Sequence, residues 1–383
     1  MEFQLTEDQK LILNTVRKLV QDKIRPDAAK YMEGAFPWKN MEALAEIGVL
    51  GMAVPKAYGG MEASVLDTAL VLEEIAKGCY VTAMAALGEV GTQTRIISTF
   101  APEEIKKRIL PEVVSGRCIL SICMTEPQAG TDVAAYTTNA TVTNDGVTLK
   151  GTKTYISRAE EAGMFVVFTR VNNSPGREGI GCILVEGGTA GLNLTGKFHT
   201  MGGEFLHEVQ FDNCKVPVEN LIIDSDGFKK LLSAFNTQRC LNPSISLGLA
   251  EAALDDSVSY MKERVAFGRP IGDFQGMQWK IARMFQDIEA SRSLLYRACI
   301  SADPFPDPTL AAAAKVACNE MSIRVTSEAI QVHGGYGYTD DCPASRYFKA
   351  ARYGSIGGGT TETLHNLIGR NLMNKSGSVF DRF

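Results

Sequence analysis

Four stretches of the chain concentrate groups that hold polar ligands. "CMTEPQAGTDVA" (Cys123–Ala134) sets a Thr-Glu-Pro turn before small residues and Gly130-Thr131-Asp132, packing backbone N–H donors and hydroxyls into a tight loop. Such a loop can hydrogen-bond a planar heteroaromatic ring or a phosphate, although composition alone favours an ordinary well-ordered turn. "KERVAFGRPIGDFQGMQWKIA" (Lys262–Ala282) brackets a Phe267-Gly268 break with Arg264 and Arg269 and puts Gln275 at the next helix start. An arginine takes a pyrophosphate bidentate, yet at a helix C-terminus it more often answers the helix dipole. "QVHGGYGYT" (Gln331–Thr339) places Gly334-Gly335 after a helix, which reads first as a C-cap and second as backbone brought close to a ligand. No strand precedes it and it is not GxGxxG, so it is not a dinucleotide fingerprint. "RYGSIGGGTTETLHN" (Arg352–Asn366) sets Gly357, Gly358 and Gly359 before a helix start, where they could cradle a phosphate, permit a sharp turn or leave space.

The elements that must position these stretches fall into three blocks. In the first, Thr6 and Gln9 form a capping box, and Ile12, Val16, Leu19, Val20 and Ile24 line one helical face before Pro26. Further helices are expected over 40–47, 66–77, a glycine-punctuated stretch near 83–99, and 102–115. After Arg117 the pattern changes to short, often β-branched runs. Asn144-Asp145-Gly146 lies between two alternating runs and signals a hairpin, and "MFVVFTRV", "GIGCILVE" and "HEVQFDNCKVPVENLI" continue the strand spacing. From Phe228 helices return, over 228–267, 275–302, 309–334 and 360–374. The expected domains are 1–118, helical; 119–225, β; and 226–383, a helical bundle.

Bulk composition bounds the function. A chain of 383 residues that is 45% hydrophobic and 22% charged has ample material for large cores. A net charge of −5 argues against a nucleic-acid surface. The absence of a run of about 18 apolar residues argues against a membrane span. The start "MEFQLTEDQK" is too polar for a signal peptide. Nine cysteines, scattered singly, suggest free thiols in a reducing cytoplasm, and neither they nor the four histidines have metal-site spacing.

In order and spacing, these motifs resemble those of the acyl-CoA dehydrogenase superfamily of flavoproteins, and the resemblance covers essentially the whole chain. It implies an α+β fold with an N-terminal helical domain, a middle β-barrel or sandwich, and a C-terminal four-helix bundle. It also implies FAD between the last two domains, with the ADP half reaching a neighbour in a homotetramer. By resemblance, Thr125 and Thr131 hydrogen-bond the cofactor, and Tyr155 with Ser157 flank its ring; many members carry an indole in place of Tyr155. Arg264, Gln275, Gln331, Gly334 and Gly335 are implied to hold the partner subunit's pyrophosphate and adenosine, and Thr360 and Glu362 to meet the cofactor at the last long helix. Ala266 stands where a hydroxyl is common. Phe235, Asn236 and Arg239 resemble the segment that guides an acyl-CoA substrate, and electron-transferring flavoprotein is the implied acceptor.

The usual members remove an α-proton with a glutamate set in one of two places. Here those places are Gly358 and Gln238, and neither carries a carboxylate. A general base must lie within hydrogen-bond reach of its proton, so ordinary dehydrogenation by the usual base is disabled. A relocated base is one reading: Glu89, in "AALGEVGTQ", lies in the helix that lines the far end of the acyl pocket in relatives, and its plain alternative is a helix-surface glutamate. A second reading starts from "FPW" (Phe36–Trp38), "NTQR" and "GGGT", which resemble the 3-sulfinopropanoyl-CoA desulfinases, superfamily members that expel sulfite. Those enzymes bring an arginine from the region near residue 84, where this chain has Met84 and only Arg95 nearby. A third reading is an inactive CoA- or flavin-binding paralogue.

Overall fold

The Thr6 capping box forms as its sequence implies. The Thr6 hydroxyl accepts from the Gln9 N–H at 3.2 Å, and the Gln9 side chain accepts from the Thr6 N–H at 2.9 Å. The structure, a computed structural model, describes residues 4–224, 226–376 and 378. Helix α1 (Glu7–Leu19) runs on through a wider turn, Val20–Ile24, and buries Val16, Val20 and Ile24 before Pro26. Next come α2 (Trp38–Glu46) and α3 (Val65–Gly78), the latter opened by a second capping box on Ser64 and Asp67. Gly91 divides the stretch near 83–99 into α4 (Tyr80–Val90) and α5 (Thr92–Phe100), and α6 (Glu103–Val114) follows.

The middle of the chain forms an eight-stranded sheet. Its strands are β1 (Ile119–Cys123), β2 (Asn139–Thr143), β3 (Gly146–Ser157), β4 (Ala162–Val171), β5 (Ile180–Glu186), β6 (Leu192–His199), β7 (Phe205–Val216) and β8 (Leu221–Ile223). The order is β6-β7-β3-β2-β4-β5-β8, with β1 also paired to β4. The hairpin at Asn144-Asp145 joins β2 and β3 with Thr143 opposite Gly146. Strand β4 is parallel to both β1 and β2, and a backbone hydrogen bond from Thr154 to Thr125 sets the loop after β1 beside the end of β3. Strand β6 was not among the expected runs, because this edge strand carries mostly exposed residues and lacks a clean alternation.

The last block holds three long helices, α7 (Gly227–Glu263), α8 (Gln275–Ile300) and α9 (Pro308–His333), completed by α10 (Pro343–Ala351) and α11 (Thr361–Met373). Helix α10 corrects the sequence expectation, which left 343–351 unassigned. Pro343 occupies its first turn, where a missing N–H costs nothing. One apolar core joins α1 to α4 with α7 to α10, so the first and last blocks share their interior. Within it Glu73 of α3 accepts from Arg292 Nη2 and Tyr296 Oη of α8, both at 2.9 Å. All nine cysteines are free and buried. Among the described residues no helix is long and apolar enough to cross a membrane, and no group of side chains has metal-ligating geometry.

Candidate functional site

The loop after β1 is anchored from below by a buried ion pair. Glu126 and Lys153 have fully buried side chains, with Nζ 2.8 Å from Oε1. Glu126 also accepts from the N–H groups of Thr137 (2.7 Å) and Thr138 (3.1 Å), and Lys153 donates to the Met124 carbonyl at 2.8 Å. Burial alone would raise the Glu126 carboxyl, but the Lys153 charge and these donors outweigh it and hold it at about 2. Burial lowers Lys153 to about 8, partly offset by Glu126, so both groups are charged at neutral pH. The anchor presents the loop's upper edge. The Thr125 carbonyl accepts from the Thr154 N–H at 2.8 Å, which sets Thr125 beside Tyr155. Tyr155 sits at φ 57° and is 58% exposed, its ring 5.3 Å from that of Phe198. A left-handed tyrosine is strained, and surrounding structure must hold it there. Thr131 is exposed, a Cβ on Gly130 would meet nothing within 4 Å, and the Ser157 carbonyl accepts from Ser121 Oγ at 2.8 Å.

A second group lies where α7 and α9 end. The Tyr260 ring packs on His333 at 4.5 Å, joining the turn that carries Arg264 to the one that carries Gly334. Arg264 and Gln331 are exposed, and so is Gln275 at the first turn of α8. Gly334, at φ 61°, and Gly335 have nothing within 4 Å of a Cβ position. Hydroxyls, an amide, a guanidinium and open glycines are the donor set that a flavin dinucleotide requires, so the residues present fit that group. His333 is buried, its Nδ1 2.8 Å from the Ala329 carbonyl, and so is a packed histidine.

The glycine run of the sequence is held by α9. Lys315 donates to the carbonyls of Gly354 (2.7 Å) and Gly359 (3.0 Å), and Asn319 Nδ2 donates to Gly354 at 2.7 Å. Thr360 caps α11 by accepting from the Thr363 N–H at 3.3 Å. The carboxyl of exposed Glu362 is held below its usual value by its own backbone N–H and by Thr360. A Cβ on Gly357 would lie 2.2 Å from the Tyr353 ring. One on Gly358, at φ 73°, would lie 3.4 Å from Lys315 Cε, 3.8 Å from Gln238 Cγ and 3.9 Å from Phe235 Cε1. The chain therefore folds Gly358 and Gln238 against each other, with Lys315 between α9 and the gap. Arg239 is buried and donates to Asn236 Oδ1 at 2.8 Å, while its Nε–H has no partner. Burial lowers it to about 10.

Glu89 is not a helix-surface residue. It lies in the last turn of α4 with no exposed surface, accepting from the Leu120 N–H at 2.9 Å and lying 3.3 Å from Arg158 Nη1. Burial lifts its carboxyl to about 7 against the pull of Arg158. Arg158, at φ 58°, also donates to the Ala85 carbonyl at 3.0 Å. It passes so close to α4 that a Cβ on Gly88 would lie 1.6 Å from its Nη1. Glu204, lifted to about 7 by burial with Arg158 and Tyr80 opposing, belongs to the same cluster. Phe36, Arg158, Glu161, Glu204 and His207 line a cavity of about 30 Å³, room for one or two waters. Sequence reasoning missed Arg158, Glu204 and Lys315; an arginine directly after the Tyr155–Ser157 turn is the only local signal for the first.

The chain matches three domain families in order. They are "Acyl-CoA dehydrogenase, N-terminal domain" over residues 6–117, the "middle domain" over 121–214, and the "C-terminal domain" over 225–373. It is 34% identical to the 3-sulfinopropanoyl-CoA desulfinase of Cupriavidus necator, across 97% of this chain and 96% of the relative. It is also 34% identical to the acryloyl-CoA reductase (NADH) of Anaerotignum propionicum, across 98% and 97% of the two chains. The solved butyryl-CoA dehydrogenase of Megasphaera elsdenii superposes with a TM-score of 0.94 at 32% identity, covering 98% of this chain and 100% of that one.

Proposed function

The chain belongs to the acyl-CoA dehydrogenase family, and we propose on that premise that it is an FAD-dependent enzyme acting on a CoA thioester by chemistry that dispenses with the family's usual glutamate. The observation that carries the reading is the packing of Gly358 against Gln238 beside Lys315, with no carboxylate between them. Thr125, Thr131, Tyr155 and Ser157 would hold the flavin end of FAD, with Thr360 and Glu362 at the start of α11. Arg264, Gln275, Gln331, Gly334 and Gly335 would hold the adenosine end from a neighbouring subunit. Bound there, FAD supplies a two-electron acceptor. The Glu126–Lys153 pair keeps the Thr125 loop rigid for this role, and Phe235, Asn236 and Arg239 guide the thioester.

A homotetramer suits the surface, since Phe267, Trp279, Phe285, Ile300 and Tyr338 are large apolar residues left exposed. Glu89 is the carboxylate assigned to proton removal in the oxidative reading, and its elevation to about 7 suits a base near neutral pH. In that reading electron-transferring flavoprotein takes the electrons.

A second reading, non-oxidative release of sulfite from a 3-sulfinopropanoyl-CoA-like substrate, gains support from Gly358 and Gln238, since it does not call for the usual glutamate at either place. Arg158 reaches the Ala85 carbonyl near residue 84, but Glu89 already answers its charge. Anaerobic mixing of the flavin-loaded protein with a panel of acyl-CoAs, following flavin bleaching and sulfite together, separates the two. Bleaching marks hydride transfer, sulfite without bleaching marks elimination, and neither, with any thioester, defeats both.

A further inference from the structure

Three cations stand among the buried charged side chains, and they are not treated alike. Lys153 is matched by Glu126 at 2.8 Å. Arg239 and Lys315, only 8% and 1% exposed, make no ion pair with any carboxylate among the described residues. Taking a charge out of water without an opposite charge is strongly unfavourable, so these neighbouring groups must either shed charge, as the lowering of Lys315 to about 7 shows, or take an anion that the chain does not supply.

We propose that the gap at Gly358, lined by Lys315 and Gln238 and within reach of the Arg239 charge, receives an anionic group carried on the substrate's acyl chain, a carboxylate or a sulfinate. The inference rests on the reading of this protein as an enzyme of CoA thioesters. The donors are in place. Lys315 spends two N–H groups on the carbonyls of Gly354 and Gly359, leaving the third free in the ammonium form. Arg239 donates through Nη1 to Asn236, and its Nε–H is buried without a partner. Both residues at the gap favour the same occupant. Gly358 contributes no side chain, and Gln238 offers a neutral amide donor where a glutamate would repel an anion. Burial and the charge of Arg239 together lower Lys315 to about 7, the direction in which an anion beside Lys315 would be welcome. The guanidinium of Arg158 offers no comparable site, because Glu89 already lies 3.3 Å from it and Glu161 and Glu204 line its cavity.

The test compares two thioesters of similar length on the flavin-loaded protein, butanoyl-CoA and 3-carboxypropanoyl-CoA, by titration calorimetry. The anionic thioester is expected to bind at least tenfold more tightly. Gln238→Glu, which sets a carboxylate in the gap from a helix that already accommodates the glutamine, is expected to abolish or reverse that preference. Lys315→Met is expected to diminish it, but Lys315 also secures two carbonyls, so Gln238→Glu is the deciding variant. Equal or tighter binding of butanoyl-CoA by the wild type overturns the anion site and leaves the thioester reading standing. A preference unchanged in Gln238→Glu also overturns it. Failure of both thioesters and of CoA itself to bind overturns the site and the thioester reading together.

Discussion

Two buried clusters, one around Arg158 and one beside Gly358, have charges out of balance in opposite senses. Around Arg158 one guanidinium faces Glu89, Glu161 and Glu204, and burial lifts Glu89 and Glu204 to about 7. Beside Gly358 lies Lys315, on which the charge of Arg239 acts, and neither pairs with a carboxylate among the described residues. Looking only for the missing glutamate would suggest a site from which chemistry has been subtracted. The comparison points to a redistribution instead: carboxylates gather at the end of α4 and just before β4 and β7, and cationic side chains without a carboxylate partner lie on α7 and α9.

The largest expected effect tests the acidic side. If Glu89 is the proton acceptor, Glu89→Gln should lower turnover by about a thousandfold while flavin stays bound. Undiminished turnover by the flavin-loaded variant would remove Glu89 from the mechanism. Arg158→Met should cost about 3–5 kcal/mol in chemical denaturation, because it strands a buried carboxylate; a loss below about 1 kcal/mol would mean that the cluster does not depend on its single cation.

On the basic side, Gly358→Glu and Gln238→Glu should each introduce ordinary acyl-CoA oxidation, read as flavin bleaching by a saturated thioester. The first carries a strain of about 1–2 kcal/mol, since φ at Gly358 is 73°. Gln238→Glu should therefore be the better-folded of the two. No gain from either, in folded flavin-loaded protein, would count against the assignment of these two positions.

The smallest effect is on stability against pH. Burial holds the Glu89 carboxyl at about 7 in the folded chain, against the ordinary glutamate value of 4.5 when unfolded. Between those values the folded state binds the proton more readily, so stability falls as pH rises from about 4.5 through 7. This group's share of the slope is at most about 1.4 kcal/mol per pH unit. Denaturation midpoints at pH 5.5 and 8 should differ less in Glu89→Gln than in the wild type, and an unchanged difference would mean that Glu89 is not the group titrating.

What the sequence disclosed was local. The Thr6–Gln9 box and the Asn144-Asp145-Gly146 hairpin depend on residues three apart or fewer, and both form. The four polar-ligand stretches stood out as motifs because backbone turns and small residues leave a compositional trace, and the turns are where those residues put them. The two clusters were not. Arg158 meets Glu89 across 69 positions, and Lys315 reaches Gly359 across 44, with no pattern between them to betray the contact. Helix α10 escaped because its nine residues follow directly on a turn, leaving too short a span for a period to stand out.

The interior shared by α1 to α4 and α7 to α10 has a consequence for the nascent chain. Glu73 must wait for Arg292, 219 residues later, before its charge is answered. Until the ribosome has delivered α7 and α8, the apolar faces of the earliest helices have only each other and the surrounding chaperones to cover them. The N-terminal third is thus made first but finished last, and its exposure during synthesis is longest where its final burial is most complete.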